Sequence, residues 1–300
     1  MNRLERELGE RFGERLCLNW PLAAFTSFRI GGPADLLLTV ETEQELCFAL
    51  EAALRNETPV FCLGAGTNLL VSDRGIRGLV VRLGQGLGGI EIDGCKVAAG
   101  AAGELRRLVE VVVNRGLEGL EFAEGIPGTV GGGLVMNAGA FGGEMSRVVT
   151  RVRGATRAGE IRVLSPEEVG FAYRRTELPE GFTITRVDFE LRPGDPELLR
   201  RRMLDFRARR AARQPAAVPN AGSIFKNPPG GFAGRLLEQA GLKGVREGNA
   251  MFSEQHANFI VNPGGATAAQ VRALMETARE RVRTTSGIVL EPEVRLVGEW

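Results

Sequence analysis

Glycine constrains this chain more than any other residue. It supplies 41 of the 300 positions, roughly twice average usage. The glycines cluster in loops between apolar runs, not in a low-complexity tract. Without a Cβ, such loops let backbone approach a neighbour or a ligand closely. Two loops stand out. Gly64-Ala65-Gly66-Thr67-Asn68-Leu69-Leu70-Val71 follows a strand-like run directly. Glu124-Gly125-Ile126-Pro127-Gly128-Thr129-Val130-Gly131-Gly132-Gly133 carries five glycines from Gly125 onward.

The first loop invites a dinucleotide fingerprint but fails it. Leu69 stands where a third glycine belongs, and residues 84–88 offer no acid for a ribose. A plain turn fits it as well, since Gly and Asn are common turn formers. In the second loop, backbone N–H groups can converge on a phosphate with no side chain in the way. Met136-Asn137-Ala138-Gly139-Ala140 adds an amide and more small residues downstream. Two such loops could clamp the two ends of a dinucleotide; two unrelated tight turns are the alternative.

Between the loops the pattern is α+β. Residues 36–40 and 59–63 read as strands around a helix with Leu46, Leu50, Ala53 and Leu54 on one face. Thr42 and Glu45 have capping-box spacing, as do Ser165 and Glu168, and Thr267 and Gln270. Strands are expected at 79–83, 90–92, 96–99, 148–155, 160–164, 183–191, 258–261 and 288–297. Helices are expected near 103–114, 197–213, 232–240 and 267–283. Pro193-Gly194-Asp195-Pro196 suits a boundary. The reading is two glycine-rich α+β lobes, 1–86 and 87–194, and a third α+β domain, 195–300.

Bulk properties exclude more than they select. A net charge of +1 gives no global signal for nucleic acid or membrane. Cys17, Cys47, Cys62 and Cys95 form no CxxC pair, and His256 is the only histidine, which argues against a Cys/His metal site. Scattered thiols fit a reducing cytoplasm. The charged stretch 1–15 has no apolar h-region, and no apolar run has the length of a membrane span. The expectation is a cytoplasmic monomer without a metal.

The reactive candidates lie late in the chain. Pro219-Asn220-Ala221-Gly222-Ser223-Ile224-Phe225-Lys226-Asn227-Pro228 holds one hydroxyl between a glycine and two apolar residues. A nucleophilic serine needs an adjacent base, and no G-x-S-x-G elbow surrounds Ser223. A proton-donor role suits it better. A serine is a poor acid in water, so its partner must be a strongly basic carbanion or enolate. That points to reduction or isomerisation of an activated double bond. Arg174, beside the chain's single tyrosine Tyr173, could stabilise an enolate oxygen. A surface arginine is the plainer alternative. Alternation over 289–296 puts Glu291, Glu293 and Arg295 on one face, which a solvated strand face also explains. In the basic helix, Arg209 and Arg213 share a face and could receive a substrate phosphate, with Lys226 and Asn227 assisting.

Seven markers in order, within a match that runs from Thr26-Ser27-Phe28-Arg29-Ile30-Gly31-Gly32 to Glu293-Val294-Arg295, resemble the UDP-N-acetylenolpyruvoylglucosamine reductase family. They are GAGTNLLV at 64–71, EGIPGTVGGG at 124–133, MNAGA at 136–140, YR at 173–174, AGSIFKNP at 221–228, HANFIVN at 256–262 and PEVR at 292–295. The resemblance implies a two-lobed FAD-binding module of the vanillyl-alcohol-oxidase (PCMH) type, then a substrate domain. FAD is expected to be non-covalent, with cofactor contacts from Gly64, Ala65, Gly66, Thr67, Asn68 and Leu69 in one loop. Gly125, Pro127, Gly128, Thr129, Gly132, Asn137 and Gly139 are the expected contacts in the other. NADPH is expected to reduce the flavin and leave, and UDP-N-acetylenolpyruvoylglucosamine to replace it. Flavin N5 then delivers hydride to the enolpyruvyl methylene carbon and Ser223 protonates the neighbouring carbon. Arg174 and Glu293 stabilise the enol-like intermediate. Tyr173, Arg213, Lys226, Asn227 and His256 are the expected substrate contacts. With no tyrosine beyond Tyr173, the chain resembles the shorter, type II form, which lacks a tyrosine-bearing loop over the substrate.

Overall fold

The computed structural model describes residues 3–215 and 217–300. They form two compact units that do not follow chain order. The first takes residues up to Leu18, Leu36–Ala65 and Gly78–Arg209; the second takes Asn19–Asp35, Gly66–Arg77 and Arg210–Trp300. The sequence suggests divisions after 86 and 194. Packing instead gathers both strand-rich stretches into one unit and draws two short early segments to the C-terminal stretch.

The first unit has two sheets. One orders its strands Leu16–Pro21, Pro33–Val40, Ile76–Leu83, Val60–Leu63, the last two parallel. Helix α1 (Arg3–Phe12) buries Leu4, Leu8 and Phe12, spaced four apart on one face. They join a core with Leu46, Ala49, Leu50 and Ala53 of helix α2 (Glu43–Arg55). Thr42 caps α2 by accepting the Glu45 N–H, but the expected reciprocal bond is not made. Glu45 accepts instead from the Glu41 N–H at 2.8 Å and from both arms of Arg15 at 2.7 Å. The Arg15 guanidinium, against the opposing cost of burial, pulls the Glu45 carboxyl down to about 2.

The second sheet is antiparallel, ordered Ile161–Leu164, Val149–Ala155, Thr183–Glu190, Lys96–Gly100, Ile90–Asp93. Helix α3 (Leu105–Asn114) contributes Leu105, Leu108, Val109, Val112 and Val113 to the core shared with this sheet. Helix α4 (Val130–Val135) lies inside the glycine-rich stretch expected to be loop. Helix α5 (Pro166–Val169) opens on the expected Ser165–Glu168 capping box.

Helix α6 (Pro196–Arg213) is the expected basic helix, and two of its arginines are spent on acids from other elements. Arg202 reaches Glu118 at 2.6 Å and Glu121 at 3.4 Å. Arg207 reaches the buried Glu124 at 2.7 Å and Glu110 at 3.4 Å. The sequence shows few acids within the helix; the partners lie about 80 to 100 residues upstream.

In the second unit, helices α7 (Ala233–Gln239) and α8 (Ala268–Ser286) share a core with Phe28, Ile30, Leu70, Ile224 and Phe225. Alpha-8 opens on the expected Thr267–Gln270 box and ends at Gly287, which has a φ of 73°. Asp73 accepts its Ala268 and Ala269 N–H groups at 2.8 and 2.9 Å. The expected strand over 288–297 is a strand only at Arg295–Val297, parallel to Leu69–Val71. Before it, Leu290 and Val294 are buried anchors, and no two-faced strand forms there. Among the described residues no helix is long and apolar enough to cross a membrane, and no cluster of His, Cys, Asp and Glu could hold a metal.

Candidate active site and cofactor cleft

A cleft of about 690 Å³ opens within the first unit. That is in the range of small-molecule sites. Its walls include Gly64, Ala65, Gly84, Gly88, Gly89, Gly103, Thr129, Gly131 and Gly132. The two sequence loops meet here: a Cβ on Gly64 would stand 2.9 Å from Thr129 Oγ1. The glycine-rich walls, the volume and the two cations Arg82 and Arg107 fit an FAD molecule with its diphosphate. Burial lowers the Arg82 pKa, and Cys62 also lines the cleft. Sequence reasoning did not select Arg82, Arg107 or Cys62, because each sits in an ordinary strand or helix pattern.

The N–H groups of the second loop are less available than its glycines suggest. Val130 and Gly131 donate to Gly103 and Ala101 carbonyls at 2.8 and 3.0 Å. Gly132 donates to the Thr129 hydroxyl at 3.2 Å, and Gly133 to the Thr129 carbonyl at 2.8 Å. The glycines at 131 and 133 serve packing instead: a Cβ on Gly131 would meet Ala101 Cβ at 2.9 Å, and one on Gly133 would meet Met145 Sδ at 3.2 Å. Gly125 and Gly128, at φ 70° and 134°, make the turns around Pro127 that lead into the helix.

Of the remaining expected cofactor residues, Gly66, Thr67, Asn68 and Leu69 belong to the second unit. Gly66 has a φ of 63°, and its carbonyl accepts from Ser27 N–H at 3.2 Å. Asn68 Nδ2 donates to the Glu293 carbonyl at 3.0 Å, and Leu69 pairs with Arg295. Asn137 is 1% exposed, and both ends of its amide are engaged by protein. Its side chain is therefore closed to a cofactor, contrary to the sequence expectation.

Arg174 occupies a strained position. Ala172-Tyr173-Arg174-Arg175 is a tight turn closed by Ala172 N–H to Arg175 C=O at 3.0 Å. Arg174 has a φ of 58°, a conformation costing a non-glycine residue about 1–2 kcal/mol. Its Nη2 donates to the Gly139 carbonyl at 2.7 Å. Non-glycine strain of this kind accumulates where function fixes geometry. Tyr173 is 47% exposed, and the Arg174 guanidinium lies 5.0 Å from its ring centroid.

Ser223 sits on a loop pinned from both sides. Upstream, Asn220 Oδ1 accepts the Gly222 N–H at 2.9 Å, and Ser27 Oγ donates to the Asn220 carbonyl at 2.6 Å. Gly222, at φ 75°, turns the chain into Ser223. Downstream, Ile224 N–H donates to the Asn258 carbonyl at 2.9 Å. The Glu293 N–H donates to the Ile224 carbonyl at 2.8 Å. The second unit therefore brings Glu293 beside the serine loop. Ser223 is half-buried, and its hydroxyl makes no hydrogen bond to another described residue.

The expected phosphate contacts divide. Lys226 forms an ion pair with Glu291, and Asn227 Oδ1 accepts the Ala233 N–H at 3.0 Å, leaving its Nδ2 as a donor. Arg213 is exposed in the last turn of α6, while Arg209 pairs with Asp205 at 2.9 Å. His256 Nδ1 accepts from the Asn258 N–H at 3.1 Å, and its ring lies edge-on to Phe259 at 4.9 Å. Burial first, then the positive charge of Lys243, lowers its pKa.

Sequence comparison agrees with this arrangement. Residues 34–165 match the profile of an FAD binding domain, and residues 214–297 match that of the UDP-N-acetylenolpyruvoylglucosamine reductase C-terminal domain. The reductase of Rubrobacter xylanophilus is 49% identical over 281 residues, covering 93% of this chain and 94% of that protein. Reductase 2 of Symbiobacterium thermophilum is 50% identical over 279 residues, covering 93% and 91%. The crystal structure of the Thermus caldophilus reductase superposes with a TM-score of 0.81 at 40% identity, covering 94% of this chain and 97% of that one. The similarity thus spans the flavin cleft and the serine loop alike, and the chain belongs to the UDP-N-acetylenolpyruvoylglucosamine reductase family, flavoenzymes that reduce an enolpyruvyl sugar nucleotide to UDP-N-acetylmuramate.

Proposed function

We propose that this chain carries out the family reaction with FAD held in the cleft of the first unit, NADPH as reductant and Ser223 as the proton donor. The observation that carries the serine assignment is its hydroxyl, half-buried on a pinned loop and engaged by no described residue. A hydroxyl held this way keeps its proton available to a ligand.

Bound in the cleft, FAD supplies the two-electron reducing chemistry. Gly64, Ala65 and Thr129 give it a close wall, and Arg82 and Arg107 offset diphosphate charge. The chain's only histidine, His256, is not among the residues that line the cleft. Arg174 places a fixed positive charge to stabilise the enolate oxygens of the substrate as charge develops. Its turn and the Gly139 carbonyl hold the guanidinium in one orientation before substrate arrives. Glu293 is the second proposed stabiliser of the enol form. Ser223 then gives its proton to the carbon that carries the developing charge. The weak acidity of serine suits that step, because the acceptor is a strong carbon base. Tyr173, Arg213, Asn227 and His256 remain the proposed contacts for the sugar nucleotide, with Lys226 shared between substrate and Glu291.

The test is anaerobic. Protein reconstituted with FAD is reduced by NADPH, then mixed with UDP-N-acetylenolpyruvoylglucosamine. The flavin absorbance should return with substrate and stay bleached without it. Reduced enzyme that ignores the enolpyruvyl sugar nucleotide but reoxidises with oxygen alone would overturn the proposal.

A further inference from the structure

Three alternate residues of one segment hold Ala172 and Arg174 of the turn and Thr176 just after it. Val135 C=O accepts from Thr176 Oγ1 at 3.1 Å. Asn137 Nδ2 donates to Ala172 C=O at 3.1 Å. Gly139 C=O accepts from Arg174 Nη2 at 2.7 Å. Asn137 is the centre of this clamp. Its Oδ1 accepts the Ser146 N–H at 3.0 Å, so one amide ties the turn to the far side of the hairpin 139–144. That hairpin carries Phe141, which stacks on Phe206 of α6 at 4.1 Å and 3° between ring planes.

The backbone has little freedom here. Asn137, Phe141 and Arg174 have φ values of 40°, 51° and 58°, and none is a glycine. Gly139 must be one: a Cβ there would stand 2.7 Å from the Gly143 carbonyl and 3.1 Å from Arg174 Nη1. A buried amide with both ends engaged is the group best able to keep such a turn in register.

We infer that Asn137 is a positioning residue for Arg174, acting on the enolpyruvyl half of the reaction and not on flavin binding. Its carboxamide sets the Ala172 carbonyl, and through the turn it sets where the guanidinium points. Asn137→Asp keeps the size and loses the donor to Ala172. The inference rests on the role proposed for Arg174.

A double-mutant cycle tests it with Asn137→Asp, Arg174→Ala and the double variant. Asn137→Asp apoprotein should bind FAD within about twofold of wild type in a fluorescence titration and be reduced by NADPH at a similar rate. Reoxidation by substrate should slow by about 10- to 100-fold, the scale expected when a positioned group is misplaced. In the Arg174→Ala background, Asn137→Asp should add less than about twofold, because the group it positions is gone. Thr176→Val, which removes a hydroxyl from the same clamp, should show a smaller loss confined to the same half-reaction. It supplies the test if Asn137→Asp does not fold. Loss of FAD affinity, equal slowing of both half-reactions, or effects that multiply in the double variant would each overturn the inference while leaving Arg174's role standing. An Arg174→Ala protein with undiminished reoxidation would remove that role and the inference with it.

Discussion

Asn258 grips Phe225 by both of its backbone groups. Its Oδ1 accepts the Phe225 N–H at 3.0 Å, and its Nδ2 donates to the Phe225 carbonyl at 2.8 Å. The side chain thereby imitates a strand partner two residues after Ser223, while the Asn258 backbone carbonyl holds Ile224. Asn258 is 4% exposed, so water cannot replace it. Asn258→Ala should cost about 3 kcal/mol of stability, since two buried backbone groups lose their partners. Urea unfolding measures this, and a loss below about 1 kcal/mol would mean the loop holds itself.

Ser223→Ala should separate the two half-reactions. Flavin reduction by NADPH should stay within about twofold of wild type, and reoxidation by substrate should fall by about 10²- to 10⁴-fold, the usual worth of a general acid. Stopped-flow absorbance reads both. Equal loss in both steps would refute the proton-donor assignment.

Gly64→Ala places a methyl 2.9 Å from Thr129 Oγ1, at the cleft wall. Overpacking of this kind costs about 1–3 kcal/mol. FAD affinity of the apoprotein should fall by about tenfold or more, read by flavin fluorescence. Unchanged affinity would place the flavin away from this wall.

Arg207→Ala leaves Glu124 buried without its cation. Glu124 is 1% exposed, and its Oε2 already lacks a hydrogen-bond partner. Arg207 is itself 41% exposed, so its removal should cost about 1–3 kcal/mol, less than for a pair buried on both sides. Arg207→Lys should recover part of it. Chemical unfolding of the three proteins decides, and an alanine variant as stable as wild type would show that the pair does not hold α6.

His256 should make stability fall on acidification. Burial and Lys243 lower its folded pKa below 6.5. Above 6.5 the imidazole is neutral in both folded and unfolded chains and contributes nothing. As pH falls through 6.5, the unfolded chain takes a proton that the folded chain refuses, so stability is lost until the lowered pKa is reached. Comparison of unfolding free energies at about pH 7.5 and 5.5 should show a smaller decline in His256→Gln. Equal declines in both proteins would mean that the ring is freely solvated.

Some of the structure was legible because its causes are local. Ser165 with Glu168 and Thr267 with Gln270 form the boxes their spacing indicates. The glycine loops do line the cleft at Gly64, Thr129 and Gly132. Thr42 with Glu45 shows the limit: the cap forms, but Arg15 and the Glu41 N–H claim the carboxylate. A competitor 30 residues away is invisible to a four-residue pattern.

The sequence by itself determined the capped starts of α2, α5 and α8, the α+β class and the order of the reactive segments, because caps and apolar periodicity act over one or two turns. Only tertiary structure decided that residues 69–71 pair with 295–297, which carries Glu293 to the serine loop. It alone turned Gly131 and Gly133 from loop residues into packing contacts, and Asn137 from a cofactor candidate into a clamp. The physical reason is the same in each case. A hydrogen-bonding group or a bare Cα is fixed by whichever partner burial brings to it, and that partner is chosen by the packing of distant faces.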